Sequence, residues 1–375
     1  MPKPPATKPE NHLAGLPTSR RWRKIQGANL DFCCEEAVMK FCGIDLHSNN
    51  SVVVVTDETD RVLVSRRCPN ELTQILPLLE PHRAELLGVV VESTYNWYWL
   101  VDGLKTAGFE VKLANPVAMQ RYNGLKHSDD QDDAAFLAQL LRLGILPTGY
   151  IHPPQERALR DLARKRIQLV RNRTQHILAA ENIMARQFGQ RLSCNEVKGL
   201  SATGVDRLGL PTPAALAMKA NVAIVQALQA QIDVLEARLL QDASLRPEFA
   251  LLKTMPGVGE VLATVIMLET GDIERFADVG NFASYARCVK SAHYSNGKKK
   301  GEGNTKNGNA YLIWAFIEAA NFARRFSEDA RRFFEKKKAK TNAVVATKAL
   351  AHKLARASYH ILKEKQPFDA RRCFA

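Results

Sequence analysis

The spacing of hydrophobic positions divides the chain into a strand-rich part and a helical part. From residue 41 the apolar residues come in short dense blocks. "FCGID" (41–45), "SVVVVTD" (51–57) and "RVLVSRR" (61–67) predict three consecutive strands, with turn chemistry at Asn49-Asn50 and between Asp57 and Asp60. A helical segment over 70–80 follows. "ELLGVVVES" (85–93) is a continuous apolar run, the pattern of a strand buried on both faces. A helix near 95–107, a strand at 109–114 and a helix from about 130 complete the order β-β-β-α-β-α-β-α. That order predicts an α/β domain with a mixed sheet, in the ribonuclease-H-like sequence of three antiparallel strands and then crossovers.

Farther along, the period becomes helical. Residues 155–191 and 214–242 predict two long helices. In the second, Leu228, Ile232, Leu235 and Leu239 step by four, three and four, a coiled-coil-like seam. The Gly/Pro-rich "GLSATGVDRLGLPTPAA" between them breaks the helices, so the expected shape is a helical hairpin arm where subunits could meet. "LLKTMPGVGEVLATVIMLETGD" then sets a Pro-Gly-Val-Gly turn between two apolar helices. This is the pattern of a helix-hairpin-helix, in which Gly257 and Gly259 let the backbone approach a phosphate; a plain turn between helices is the competing reading. Residues 1–38 are rich in Pro, Lys and Arg without periodicity and predict a disordered leader, with Met39 as an alternative start.

Charge adds a partner to this picture. The 375 residues carry 53 Lys and Arg against 39 Asp and Glu, a formal net charge of +14, which favours a polyanion. Residues 287–340 hold 14 basic residues against 5 acidic ones, with "KKK" at both 298–300 and 336–338. The first long helix is also basic, with Arg157, Arg160, Arg164, Lys165, Arg166, Arg171 and Arg173. Nucleic acid is therefore the expected partner, over the alternative of solvated helix faces. No apolar run is long enough to cross a bilayer and there is no secretory h-region, so no membrane is expected. Seven scattered cysteines without a CxxC pair predict reduced thiols in a cytoplasmic protein and argue against zinc.

Against that positive background, "KHSDDQDDAAFLAQLL" (126–141) places Asp129, Asp130, Asp132 and Asp133 within five positions at a helix start. Asp45 ends the first strand and Glu92 ends the central buried one, and in this strand order those two strands are neighbours. Residues three apart share a helix face, so the cluster divides into Asp130 with Asp133 and Asp129 with Asp132. Converging carboxylates need cations to neutralise them. Mg2+ prefers such hard oxygen ligands, and two ions together can activate a nucleophile and a leaving oxygen at phosphorus. Taken singly, each acid has a structural explanation, as a strand-end residue or as a helix-start acid complementing the macrodipole.

These segments together resemble the transposases of insertion-sequence family 110. The resemblance rests on "GIDLHSNN" (43–50), "VVVEST" (89–94), "HSDDQDDAAFLAQLLRLGILPTGYI" (127–151), "MPGVGEVLATVIMLETGDIERF" (255–276) and "NGKKKGEGNTKNGNAYLIWA" (296–315), and it covers about 41–345. It implies a RuvC-like domain with a DEDD tetrad. The family's Asp-x-x-Asp-Ala pattern selects Asp130 and Asp133, giving Asp45, Glu92, Asp130 and Asp133, with Asp129 and Asp132 as flanking acids. It also implies a serine nucleophile in the C-terminal domain. Ser295, before Asn296-Gly297, matches best, with Ser291 the alternative. Asn296 stands where the family has a second hydroxyl, and Cys288-Val289-Lys290 replaces a Gly-Leu-x-Pro-like step.

The divisions expected are a leader (1–38), a RuvC-like DEDD domain (39–152), a coiled-coil arm (153–246), a mainly helical C-terminal domain with the helix-hairpin-helix and serine loop (247–345), and a basic helix and tail (346–375). The resemblance further implies a Mg2+-dependent recombinase acting on donor and target double-stranded DNA. A structured noncoding guide RNA would direct it, in a homo-oligomer (dimer or tetramer) at the bacterial nucleoid. The residues expected to contact nucleic acid are Gly257, Gly259, Lys298, Lys299, Lys300, Lys306, Arg164, Lys165 and Arg166. Two other functions fit the same residues: a junction-resolving nuclease using the carboxylates alone, and a nucleic-acid-binding protein without catalysis.

Overall fold

The computed structural model describes residues 39–122, 129–289, 292–302 and 307–374. The dense apolar blocks form strands as expected: β1 (Lys40–Leu46), β2 (Asn50–Thr56) and β3 (Val62–Pro69). After them come α1 (Leu72–Leu79), β4 (Leu86–Glu92), α2 (Tyr98–Thr106), β5 (Val111–Ala114), α3 (Pro116–Met119) and α4 (Asp130–Arg142). A two-residue strand, β6 (Thr148–Gly149), extends the sheet beyond what the sequence announces. The sheet order is β3-β2-β1-β4-β5-β6, with β1, β4 and β5 parallel and the other pairings antiparallel.

Alternation along the strands builds two layers around this sheet. Cys42, Ile44 and Leu46 of β1 join Val89 and Val91 of β4 in a core with α1 and α2 residues such as Ile75, Leu79, Leu100 and Leu104. Phe41 and Val90 point the other way, onto Leu137, Ala138 and Leu141 of α4. Asp45 is two positions beyond Gly43, and Glu92 two beyond Val90. Both acids therefore come at the ends of their strands, Asp45 next to last in β1 and Glu92 last in β4, on the α4 face.

The helical region begins with α5 (Pro154–Phe188), continues through α6 (Cys194–Gly199) and α7 (Ala202–Asp206), and returns along α8 (Thr212–Ala243). The expected breaker between the long helices is thus itself partly helical. Ser193 and Ser201 cap its two short helices, and Val197 and Val205 seal the arm tip against Met184, Met218 and Val222.

The seam of α8 also differs from the expected one. Leu228 and Leu235 are only half-buried. The buried line runs Met218, Val222, Val225, Ile232, Leu239 and Ala243. Gln229 and Glu236 occupy the two gaps in that line. The reason lies on α5, which presents Arg173 and Arg166 seven residues apart, so two heptad positions on α8 hold their acceptors: Arg173 donates to Gln229 and Arg166 to Glu236.

The remaining elements are α9 (Pro247–Leu252), α10 (Glu260–Thr270), α11 (Val279–Tyr285), β7 (Ala292–Ser295), β8 (Lys298–Glu302), α12 (Ala310–Phe326), α13 (Glu328–Lys340), α14 (Ala343–Glu364) and α15 (Ala370–Phe374). One core gathers Phe249, Ile266, Phe282, Phe316, Phe334 and Leu354, so α14 belongs to the same body as the helices before it. No helix among the described residues is long and apolar enough to cross a membrane.

Candidate active site

The helix start that carries the aspartates is fixed from both ends. Asp129 is the N-cap of α4, its carboxylate accepting the N–H groups of Gln131 and Asp132, each at 2.8 Å. This uses Asp129 structurally and leaves Asp130 and Asp133, three apart, to share a face. At the other end, the Arg142 guanidinium donates both ways to Asp60 in the β2–β3 turn, at 2.7 and 2.6 Å. In the middle, α4 lies directly on β1. A Cβ added to Gly43 would stand 1.9 Å from the Ala134 carbonyl oxygen and 2.9 Å from Leu137 Cβ. Only a glycine there lets α4 settle onto the sheet, one turn after its aspartates.

Asp45 is almost fully buried, and its Oδ2 lies 3.2 Å from His47 Nε2. The same nitrogen lies 3.4 Å from Asp130 Oδ2. His47 is held by its own carbonyl, which accepts from Asn70 and Asn96 side chains, both at 3.0 Å. Arg67 of β3 pairs with the Asp130 carboxylate as well. Its place follows from register: Asp45 faces Val52 on β2, and Val52 faces Arg67 on β3. The Arg67 guanidinium, with His47 adding, holds the exposed Asp130 carboxyl below the usual carboxylate range.

Ligand atoms of Asp45, His47 and Asp130 all lie within 4.8 Å of one another, the one such group of three or more among the described residues. Glu92 and Asp133 end on the same side of the sheet but outside that close group; both are half-buried and both make interactions of their own. The donor set suits a divalent cation: two carboxylates meet on one nitrogen, and two more acids flank them. Hard oxygens favour Mg2+, while an imidazole nitrogen widens the choice. His47 and Arg67 were not among the residues singled out from sequence. The Asp-x-His spacing of "GIDLHSNN" carried a signal for His47, since residues two apart on a strand share a face. Arg67 had none, because its row depends on two hairpin registers.

The C-terminal candidates are distributed differently from expectation. Ser295 is exposed and sits on a hairpin, not in a loop: it ends β7, and its cross-strand partner is Lys298 of β8. Asn296 and Gly297, with φ of 50° and 71°, make the two-residue turn. Asn-Gly is the strongest short hairpin signal, so this element was legible in the sequence. Lys300 is exposed on β8, where the backbone of Lys299 also lies; Ser291 and Lys306 fall outside the described residues.

Gly257 departs from its expected role. It has φ of 80°, and a Cβ there would stand 2.2 Å from the Ala319 carbonyl oxygen, so its open face is filled by α12 and not offered to a phosphate. Gly259 is the N-cap of α10, with open space around it. Arg164 and Arg166 also depart, because each meets a carboxylate of the protein. Arg164 clasps buried Glu269 at 2.5 and 2.7 Å, and Arg166 donates to Glu236 at 2.7 Å. Lys165 between them remains exposed.

Comparison with known proteins places the chain in a family. A family profile for the DEDD transposase domain of IS110 elements, described as "Transposase", matches residues 42–188. A second, described as "Transposase IS116/IS110/IS902 family", matches residues 249–335. A curated relative from Sinorhizobium fredii, named "Putative transposase y4qE", is 25% identical over 234 residues, covering 61% of this chain and 56% of the relative. The chain thus spans little more than half the length of that relative. With a DEDD profile on the sheet that carries the acids and a transposase profile on the body that carries Ser295, the chain belongs to the IS110 family of transposases.

Proposed function

We infer that this chain cuts and rejoins DNA as the recombinase of a bacterial insertion sequence. Mg2+ would be held by Asp45, Glu92, Asp130 and Asp133, with Ser295 as the nucleophile. The observation that carries the reading is the meeting of Asp45 and Asp130 through His47, on the sheet face where Glu92 also ends. Bound there, Mg2+ would polarise a scissile phosphate and favour departure of its 3′-oxygen. The remaining work falls to the chain. Ser295 Oγ gives up its proton and forms a bond to phosphorus. The P–O3′ bond breaks, and the 3′-oxygen leaves with a proton as a hydroxyl. A 3′-hydroxyl from another strand then attacks the phosphoserine, which restores the phosphodiester and returns the serine hydroxyl without hydrolysis. Lys298, opposite Ser295 across the turn, can set its ammonium group where negative charge develops.

Guidance by a structured noncoding RNA, and assembly into a dimer or tetramer on donor and target duplexes, complete the proposal. The basic surface supports the first. Leu216, Ile224 and Val234, exposed apolar residues of α8, support the second. The test is RNA co-purification followed by plasmid recombination with that RNA and Mg2+, comparing the wild type with Asp45→Asn and Ser295→Ala. Both variants should lose joining. Full cutting by Ser295→Ala would favour a nuclease that uses the carboxylates alone. Wild-type activity in Asp45→Asn would remove the metal site, and activity independent of RNA would remove guidance.

A further inference from the structure

A second charged surface lies apart from both candidate sites, on the α13, α14 and α15 side of the C-terminal body. Two clefts run along it. One, of about 630 Å³, lies between α13 and α15 and is lined by Lys336, Lys337 and Lys340. The other, of about 950 Å³, lies between α14 and the segment that folds back over it and is lined by Arg356 and Arg371. Lys353 lines both, so the clefts meet at this residue of α14. Among the described residues, Lys336, Lys337, Lys340, Arg356 and Arg371 have no ion-pair partner. The acids nearby are already engaged: Arg332 lies near Asp329, Arg372 binds Glu364, and Asp369 accepts the N–H groups of Arg371 and Arg372.

This arrangement is costly for the free protein. Lys336 and Lys340 are one turn apart on α13, so like charges face each other. The back-folded segment fixes the groove: the Lys353 ammonium donates to the Cys373 carbonyl at 2.5 Å, and the Phe368 N–H donates to Thr254 Oγ1 at 2.8 Å. A surface that repels itself and is held open in this way is complementary to a line of negative charge. The body is also continuous with the serine hairpin, because α12 follows β8 in the chain and packs against both α13 and α14. The same body therefore carries both the serine hairpin and this basic surface.

We propose that the groove between α13, α14 and α15 binds the phosphodiester backbone of duplex DNA flanking the reacting site. The proposal rests on the DNA-recombinase reading above and adds a second, non-catalytic contact to it. The contacts are to phosphate, so they add affinity and hold orientation without reading sequence.

The test is anisotropy binding of a duplex of about 30 base pairs by the full chain, across KCl from about 50 to about 200 mM. Wild type is compared with the triple variant Lys336→Gln, Lys337→Gln and Lys340→Gln, which keeps helix propensity and removes three charges. Each lost phosphate contact should flatten the log–log salt dependence by about 0.9, so the variant slope should be shallower by about 2 to 3, with an unchanged melting temperature. A variant slope equal to that of a DNA-binding wild type would overturn the groove and leave the recombinase reading standing. A loss confined to an RNA stem-loop, with the DNA curve unmoved, would also overturn it. A wild type that binds no DNA at any salt, with or without the co-purified RNA, would overturn both.

Discussion

Replacing Gly43 by alanine is the most direct test of how the fold assembles the acidic site. The new methyl would sit 1.9 Å from the Ala134 carbonyl oxygen, and its neighbours are backbone and the Leu137 Cβ, none of which can swing away. Relief requires α4 to back off the sheet by about 1 Å or more, because real Cβ contacts stop near 3 Å. Overpacking of this kind costs about 1–3 kcal/mol. The larger consequence is geometric. Asp133 directly precedes Ala134, and Asp130 lies one turn earlier, so any retreat of α4 carries both away from Asp45 on β1. A misplacement of about 1 Å in a reacting constellation costs on the order of a hundredfold in rate. The assay pairs a thermal melt with DNA strand joining. Gly88→Ala is the control, since its Cβ would find its nearest neighbour, the Glu110 carbonyl oxygen, at 3.4 Å and should leave both readouts near wild type. A Gly43→Ala protein that melts and joins DNA like the wild type would refute the claim that this contact sets the acids.

Three further outcomes separate structural from chemical roles. Asp129→Ala should lose about 1 kcal/mol of stability through its missing cap, measured by denaturant melts, while keeping activity that Asp130→Asn loses. Gly257→Ala should lower the melting temperature, because its Cβ would strike α12 and its backbone is left-handed, yet leave the salt dependence of DNA binding unchanged; a changed slope with a normal melt would restore the phosphate role. His152 sets a pH dependence. Burial, with Arg160, Arg275, Arg164 and Arg157 nearby, lowers its pKa from 6.5 to about 3. The folded chain keeps it neutral where the unfolded chain takes up a proton. Stability is therefore full above 6.5 and falls toward pH 3, by up to about 1.4 kcal/mol per pH unit. His152→Gln should remove one proton from that slope in acid melts, and an unchanged slope would refute the assignment.

Much of this was legible in the chain itself. Apolar blocks with turn residues between them specify strands whichever neighbours they find, so the order around β1 to β5 could be read directly. The strand order made Asp45 and Glu92 neighbours, and the spacing of the aspartates divided them into two pairs, between which the resemblance chose Asp130 with Asp133; the capping role of Asp129 came from the structure. What the sequence could not supply was distance. Arg67 reaches Asp130 only because two hairpin registers bring it into the row of Asp45, and register is a property of paired strands. The arginines of α5 looked available because a charge run reads the same whether it faces water or an acid. Only folding brings Glu269 and Glu236 under Arg164 and Arg166, from 105 and 70 residues away. Gly257 and Gly43 look alike in sequence, as glycines that permit something. Packing decided what each permits, because a missing Cβ acquires meaning only from the backbone that moves into its place.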